Sequence, residues 1–320
     1  MTEDPARAFL GRALALVRAA PGRAYPKPTV GAVVVRNGEV VGEGVTEQSG
    51  RHGEVVALDD AGDAGRGASL YVTMEPCAHW GTTPPCTERV LEAGVVEVVA
   101  GSLDPNPEAG GGLRLLREAG VDARLEDSFD ARAQNEAWRT WVAKGRPFVT
   151  YKVAVTLDGM ASVPGRRWVS GEQSRRVVHE LRAVSDAVAV GMGTVRADRP
   201  RLDARDVPTP RGQPRRLAFG RGPLPEGSEL ELRSGALADE LGALAGEGVQ
   251  SLLLEGGPTL AGAFLEADLV DKLLVFVAPT LGGQGPAALA ARLASPRPLS
   301  RLAARVVGDD VLLEAYVHEP

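Results

Sequence analysis

Residues 75–86 read EPCAHWGTTPPC and hold both cysteines of the 320-residue chain, Cys77 and Cys86, with eight residues between them. Cys77 closes a strand-like run, SLYVTME, and Cys86 follows Pro84-Pro85 and opens a helix-like run, TERVLEAG, stopped by Gly94. The stretch therefore reads as strand, loop, helix. Upstream, VGAVVVRNGEVVGEGV places two β-branched runs around Asn37-Gly38, a strong hairpin signal. HGEVVALDDAG then reads as a short helix closing on glycine, and VVEVVAGSLD, LRLLREAG and VDARLE continue the alternation of strand and helix. A helix is expected from Pro5 to Ala20 ahead of the hairpin. Strands separated by short helices predict a three-layer α/β domain with a largely parallel sheet after the hairpin.

The length predicts two domains, because one core rarely grows over 320 residues. The pattern breaks at Lys144-Gly145-Arg146-Pro147, which sets the expected domains at 1–145 and 146–320. The second half restarts with FVTYKVAVTLDG. It then predicts a helix over Glu172–Val184, the strand DAVAVG, a Pro/Arg/Gly-rich stretch from Pro200 to Pro225 and a helix over Leu237–Gly246. The strand QSLLLEGG, a helix over Thr259–Ala267 and the strands KLLVFVAP and VLLEAYV complete a second α/β domain.

A hydrophobic content of 44%, a net charge of −6 and a pI near 5.4 describe a globular chain without bulk attraction for nucleic acid or anionic membrane. The N-terminus has acids first and arginines among its apolar residues, so neither a signal peptide nor a membrane span is expected. A cytoplasmic setting follows, in which two nearby cysteines are more often metal ligands or redox groups than a disulfide.

His52 with Cys77 and Cys86 offers one imidazole and two thiolates, a donor set suited to one Zn²⁺ with a fourth position for water. Glu54, two residues from His52, is placed to carry a proton from that water to a leaving amine. The order H-x-E, then P-C and a second Cys, is the signature of zinc nucleobase deaminases. His79 as a fourth ligand closing a structural zinc site is the alternative. In the second half, KVAVTLDG, GMGTVRADRP and EGGPTLAG each end a strand, where α/β proteins place ligands. The paired glycines before a helix suit a phosphate, and no G-x-G-x-x-G fingerprint is present.

Zinc deaminases usually space their cysteines C-x-x-C. The longer P-C-x-H-x-G-x-T-P-P-C loop here, with Val30-Gly31 and Asp104-Pro105-Asn106-Pro107, resembles the bifunctional riboflavin-biosynthesis pyrimidine deaminase/reductases. The three segments of the second half, in this order, resemble the reductase part of that family. The resemblance implies a cytidine-deaminase-like three-layer domain followed by a dihydrofolate-reductase-like α/β domain that uses NADPH. It implies zinc-dependent deamination of a diaminopyrimidinone carrying a phosphoribosylamino group, then hydride transfer that turns ribosylamino into ribitylamino. Small phosphorylated pyrimidines are the implied partners, with a homo-oligomer possible and no nucleic acid or membrane.

Carried over by position, Lys27, His79, Thr82, Asp104 and Asn106 are expected at the deaminase substrate. Val155, Trp168, Ser170, Thr194, Asp198, Gly257, Pro258, Thr259, Leu260, Ala261 and Gly262 are expected at the cofactor. Arg166, Arg182, Leu202, Arg205 and Glu255 are expected at the reductase substrate. Departures from the family pattern are Gly53 for alanine, expected to loosen the helix start slightly, Lys27 for asparagine and Thr82 for a basic residue. Arg166 replaces a serine, and Arg199 stands where an acid or amide is usual. Lys27 is expected to take over charge toward the substrate phosphate that Thr82 does not supply. Rival readings are an enzyme with one active site, a related pyrimidine substrate in another pathway, and a zinc-stabilised nucleotide-binding regulatory protein without turnover.

Overall fold

A computed structural model describes residues 5–20, 22, 24–81, 83–255, 257–288, 293 and 295–320. They divide into two compact units, one running to Ala143 and including Pro320, the other Lys144–Glu319.

The first unit comprises α1 (Pro5–Arg18), β1 (Gly31–Arg36), β2 (Glu39–Val45), α2 (Gly53–Ala61), β3 (Ser69–Val72), α3 (Cys86–Glu92) and β4 (Glu97–Ala100). It continues through α4 (Gly112–Glu118), β5 (Asp122–Leu125), α5 (Phe129–Ala133) and α6 (Glu136–Lys144). Its sheet runs β2-β1-β3-β4-β5. β1 pairs antiparallel with β2 and β3, and β3, β4 and β5 are parallel. Asn37 and Gly38 turn the hairpin with φ of 53° and 81°, the left-handed pair that a two-residue turn needs.

Side-chain alternation makes the three layers. Ala32, Val34, Leu70, Val72 and Val98 face α2, α3 and α4 through Ala57, Leu58, Val90, Leu113 and Leu116. Val33, Val35, Tyr71 and Val99 face α1 through Ala6, Leu10 and Ala13. Full burial of each Val or Leu is worth about 1.5–3 kcal/mol. Packing of this kind, more than intrinsic propensity, sustains helices as short as α3 and α4.

The second unit comprises β6 (Phe148–Thr156), α7 (Glu172–Val184), β7 (Ala187–Gly191), α8 (Met192–Asp198), β8 (Arg215–Phe219) and β9 (Glu231–Arg233). α9 (Leu237–Gly246), β10 (Ser251–Leu254), α10 (Pro258–Glu266), β11 (Lys272–Ala278), β12 (Ser300–Val307) and β13 (Asp310–Tyr316) follow. The sheet order is β12-β13-β11-β6-β10-β7-β8-β9, parallel from β11 to β9 and closed by the antiparallel β13 and β12. Val149, Tyr151, Ala189 and Leu252 pack under α9 and α10, while Val188, Val190 and Leu253 pack with α8 residues Met192 and Val195 on the opposite face.

The helices expected at Glu172–Val184 and Leu237–Gly246 have those bounds in the structure. Six elements lie where none was expected: α5 and α6 before the second unit, α8 directly after β7, β8 within the Pro/Arg/Gly-rich stretch, β9 beyond it, and β12. Among the described residues, no helix is long and apolar enough to cross a membrane.

Candidate active sites

Each metal-ligand candidate sits where an element begins or ends. His52 caps α2, Glu54 lies in its first turn, and Cys86 is the first residue of α3. Cys77 lies five residues beyond β3. The Nδ1 of His52 lies 3.1 Å from the Sγ of Cys86 and 3.6 Å from the Sγ of Cys77, and all three donor atoms fall within 4.8 Å of one another. Zinc bonds of about 2.0–2.3 Å to nitrogen and sulfur fit donors this close. Among the described residues His79 is not part of this group, so the four-ligand alternative is not formed. The thiols bias toward one thiolate. The Cys77 pKa is pulled down, first by the Cys86 thiol against the cost of burial, while Cys86 is pushed up.

Glu54 is 3% exposed, and its buried Oε2 has no hydrogen-bond partner. Burial raises its pKa to about 7, although His52 opposes the shift. A buried polar atom left open beside three metal-type donors fits a zinc-bound water as its missing partner.

Gly53 is the first residue of α2, and packing there calls for glycine. A Cβ there would stand 2.3 Å from the carbonyl oxygen of Val30. Cβ atoms at Gly44 and Gly42 would likewise meet the carbonyl oxygens of Gly53 at 2.2 Å and Ala57 at 2.3 Å. Glycine here lets α2 press onto β2, and that contact carries His52 and Glu54 into the site.

A cavity of roughly 340 Å³ opens over the triad, lined by Lys27, His52, Glu54, Glu75, Cys77, His79, Asp104, Asn106 and Trp138 among others. Four of the five expected substrate residues thus share one cavity, and Thr82 lies outside the described residues. The Nδ1 of His79 is buried without a partner. Asp104 Oδ1 accepts from Asn106 N at 2.8 Å and Asn106 Oδ1 from Glu108 N at 3.1 Å, so consecutive Asx turns shape this loop. Burial, with Glu75 and Cys77 adding repulsion, raises the Asp104 pKa against the Asn106 N–H. Sequence reasoning missed Trp138 and Glu75. Trp138 and Trp141, three apart in α6, were the available helical signal, and α5–α6 also tie down the segment before β1. There Asn135 Oδ1 accepts from Thr29 N at 3.0 Å, and Thr29 O accepts from Asn135 Nδ2 at 2.9 Å.

In the second unit, Arg182 donates to Glu255 through Nε at 2.5 Å and Nη2 at 3.0 Å, and Lys152 Nζ lies 3.5 Å from the same carboxylate. The Glu255 side chain is 7% exposed, and two cations hold it; Lys152 was not singled out from the sequence. Arg182 Nη1 also donates to Asp203 O at 3.0 Å, and the exposed Arg205 donates through its backbone to His179 Nδ1 at 3.2 Å. Leu202 is 2% exposed inside the α8 cluster with φ of 57°, so only its backbone can reach a ligand.

Thr194 Oγ1 would stand 3.1 Å from a Cβ at Gly257, which brings the start of α8 against the start of α10. Pro258 is the first residue of α10, Thr259 and Leu260 fill its first turn, and Ala261 and Gly262 are buried against the core. Asp198 is exposed at the far end of α8, and Val155 is buried in β6. Trp168 is 54% exposed with the guanidiniums of Arg167 and Arg175 at 5.0 and 5.6 Å from its ring, and Arg166 is exposed beside it. Arg175 Nη1 donates to Ser170 O at 2.8 Å. Asp310 Oδ2 accepts from Gly171 N at 2.8 Å and Ser174 Oγ at 2.6 Å, anchoring the segment that bears Ser170 to the β12–β13 turn.

Residues 4–102 match the cytidine and deoxycytidylate deaminase zinc-binding region, and residues 147–313 match the RibD C-terminal domain. The fold and the triad thus define a zinc-dependent deaminase domain followed by a reductase domain with a dihydrofolate-reductase-like fold. The chain belongs to the RibD family of riboflavin biosynthesis proteins. It is 43% identical to RibD of Mycobacterium tuberculosis over 83% of this chain and 82% of that protein, and 34% identical to RibD of Escherichia coli over 95% and 97%. The solved structure of Acinetobacter baumannii RibD superposes with a TM-score of 0.85 at 30% identity, covering 98% of both chains. A Thermotoga maritima diaminohydroxyphosphoribosylaminopyrimidine deaminase/5-amino-6-(5-phosphoribosylamino)uracil reductase gives 0.81 at 30% identity, with the same coverage.

Proposed function

We infer that the chain is a bifunctional enzyme of riboflavin synthesis. Residues 1–145 deaminate the phosphoribosylamino diaminopyrimidinone with zinc, and residues 146–320 reduce its ribosyl side chain to ribityl with NADPH. The observation that carries this reading is the His52, Cys77 and Cys86 triad with the open, buried Oε2 of Glu54 beside it.

His52, Cys77 and Cys86 would hold the zinc, which when bound supplies a Lewis acid able to lower the pKa of water to about 7. Glu54 moves a proton from water to the departing amine. His79, Asp104 and Asn106 orient the pyrimidine, and Lys27 faces its phosphate. In the second unit Lys152 and Arg182, held by Glu255, meet the phosphorylated sugar together with Arg205 and the backbone of Leu202. Thr194, Gly257 and the first turn of α10 seat the cofactor phosphates, and Trp168 and Ser170 flank it. Bound NADPH supplies the hydride. A cytoplasmic setting suits Cys77 and Cys86 as zinc thiolates.

The test gives zinc-loaded protein the diaminopyrimidinone and NADPH and separates the products. Ribityl product is expected from the wild type. Glu54→Gln should lose deamination by about 10²–10⁴-fold while still reducing the deaminated intermediate. No conversion of either compound by the wild type overturns the reading.

A further inference from the structure

Glu75 precedes Cys77 by two residues and is 5% exposed. Among the described residues its carboxylate pairs with no cation and is occupied by backbone N–H groups. Oε1 accepts from Asp104 N at 3.1 Å and Gly111 N at 3.4 Å, and Oε2 from Leu113 N at 3.2 Å. Its own N–H donates to Ser102 O at 2.9 Å, and on the other side of Cys77 the N–H of Ala78 donates to Ala109 O at 3.0 Å. A Cβ at Gly112 would stand 1.8 Å from Pro76 O, so that glycine is what permits the two segments to touch. Residues 75–78, which carry a metal ligand, and residues 104–113, which carry Asp104 and Asn106, are therefore clasped together. Glu75, Cys77, Asp104 and Asn106 all line the same cavity.

We propose that Glu75 is a positioning residue for deamination, fixing the Asp104–Asn106 loop at a set distance from the metal ligands through its three backbone hydrogen bonds. The carboxylate is the group suited to this, since it accepts on both oxygens and offers no proton to compete with the N–H donors. The inference rests on the deaminase reading and adds a role to a residue outside its reacting groups.

Glu75→Gln keeps the size but turns one acceptor into a donor facing an N–H. The expected result is a KM for the diaminopyrimidinone raised roughly 10–100-fold, with one zinc retained and reduction of the deaminated intermediate unchanged. Combined with Asp104→Ala it should add little, because both changes release the same loop. Gly110→Ala is the second variant. Its methyl would stand 3.3 Å from the carbonyl oxygens of Asp104 and Asn106 and 3.5 Å from Glu75 Oε1, and it should raise the same KM with the carboxylate intact. If Glu75→Gln does not fold, Gly110→Ala decides alone. A wild-type KM in the readable variant, full additivity with Asp104→Ala, or zinc loss in step with activity overturns the role. A wild type that does not deaminate overturns the functional reading instead.

Discussion

The backbone N–H of Cys86 donates to the Sγ of Cys77 at 3.3 Å, so the start of one ligand's helix stabilises charge on the other ligand. Cys86→Ala keeps that N–H but removes a sulfur, whereas Cys77→Ala removes both sulfur and acceptor. Both variants should fall well below one zinc per chain by metal analysis and lose deamination by at least about 10²-fold. Reduction of the deaminated intermediate should persist. Stoichiometric zinc with full deamination in Cys86→Ala would break the three-ligand assignment.

Lys27 lines the deaminase cavity. Lys27→Ala should raise the deaminase KM for the phosphorylated substrate by roughly 10-fold with kcat little changed. The wild-type KM should also climb with salt, as expected for a point charge meeting a phosphate. An unchanged KM in Lys27→Ala would remove the phosphate from its role.

Gly53→Ala improves helix propensity, yet the added methyl meets Val30 O at 2.3 Å. That oxygen already accepts from Thr46 N at 2.9 Å, so it has little room to retreat. Overpacking of about 1–3 kcal/mol should outweigh the propensity gain, because a first-turn residue profits least from it. Thermal unfolding should show a lower Tm for the first unit; an unchanged or higher Tm would contradict the packing argument.

Glu255 offers a pH test. Burial alone would raise its pKa, but the charge of Lys152 and the bonds from Arg182 bring it below the ordinary value. With the folded pKa depressed, the stabilisation is complete above the unfolded value of about 4.3 and disappears as pH falls through the lower folded one. Glu255→Gln leaves two cations facing a neutral amide and should cost about 3 kcal/mol at neutral pH. The Tm gap to wild type should close only below about pH 4. A gap independent of pH in that range would show that shape, and not charge, is what Glu255 supplies.

Much of the deaminase site is legible in the sequence because its residue types are scarce. The chain has four histidines and two cysteines, and His52 and Cys86 stand at helix starts already marked by glycine or proline. Strands β8 and β9 are not legible, since Arg215, Arg216 and Arg233 look like loop residues. In the fold, Glu231 and Glu229 pair with the first two and Glu247, at the end of α9, with the third, a cancellation that exists only once the chain has folded. β12 escapes notice for another reason: six of its eight residues are exposed, so burial imposes no alternation. Glu75 hides inside a recognised motif because its hydrogen-bond partners lie 29 to 38 residues away.

Thr87 N donates to Cys77 O at 3.3 Å, and with the Cys86 N–H this ties both ends of the intervening segment together by main-chain bonds. The ligand pair is thus a fixed socket, and the described residues 79–81 and 83–85 belong to a cassette plugged into it. A cassette can be lengthened, shortened or recharged without disturbing the coordinating atoms. Grafting one with a basic residue at position 82 into this chain should lower the KM for the phosphorylated substrate while leaving metal affinity where it is.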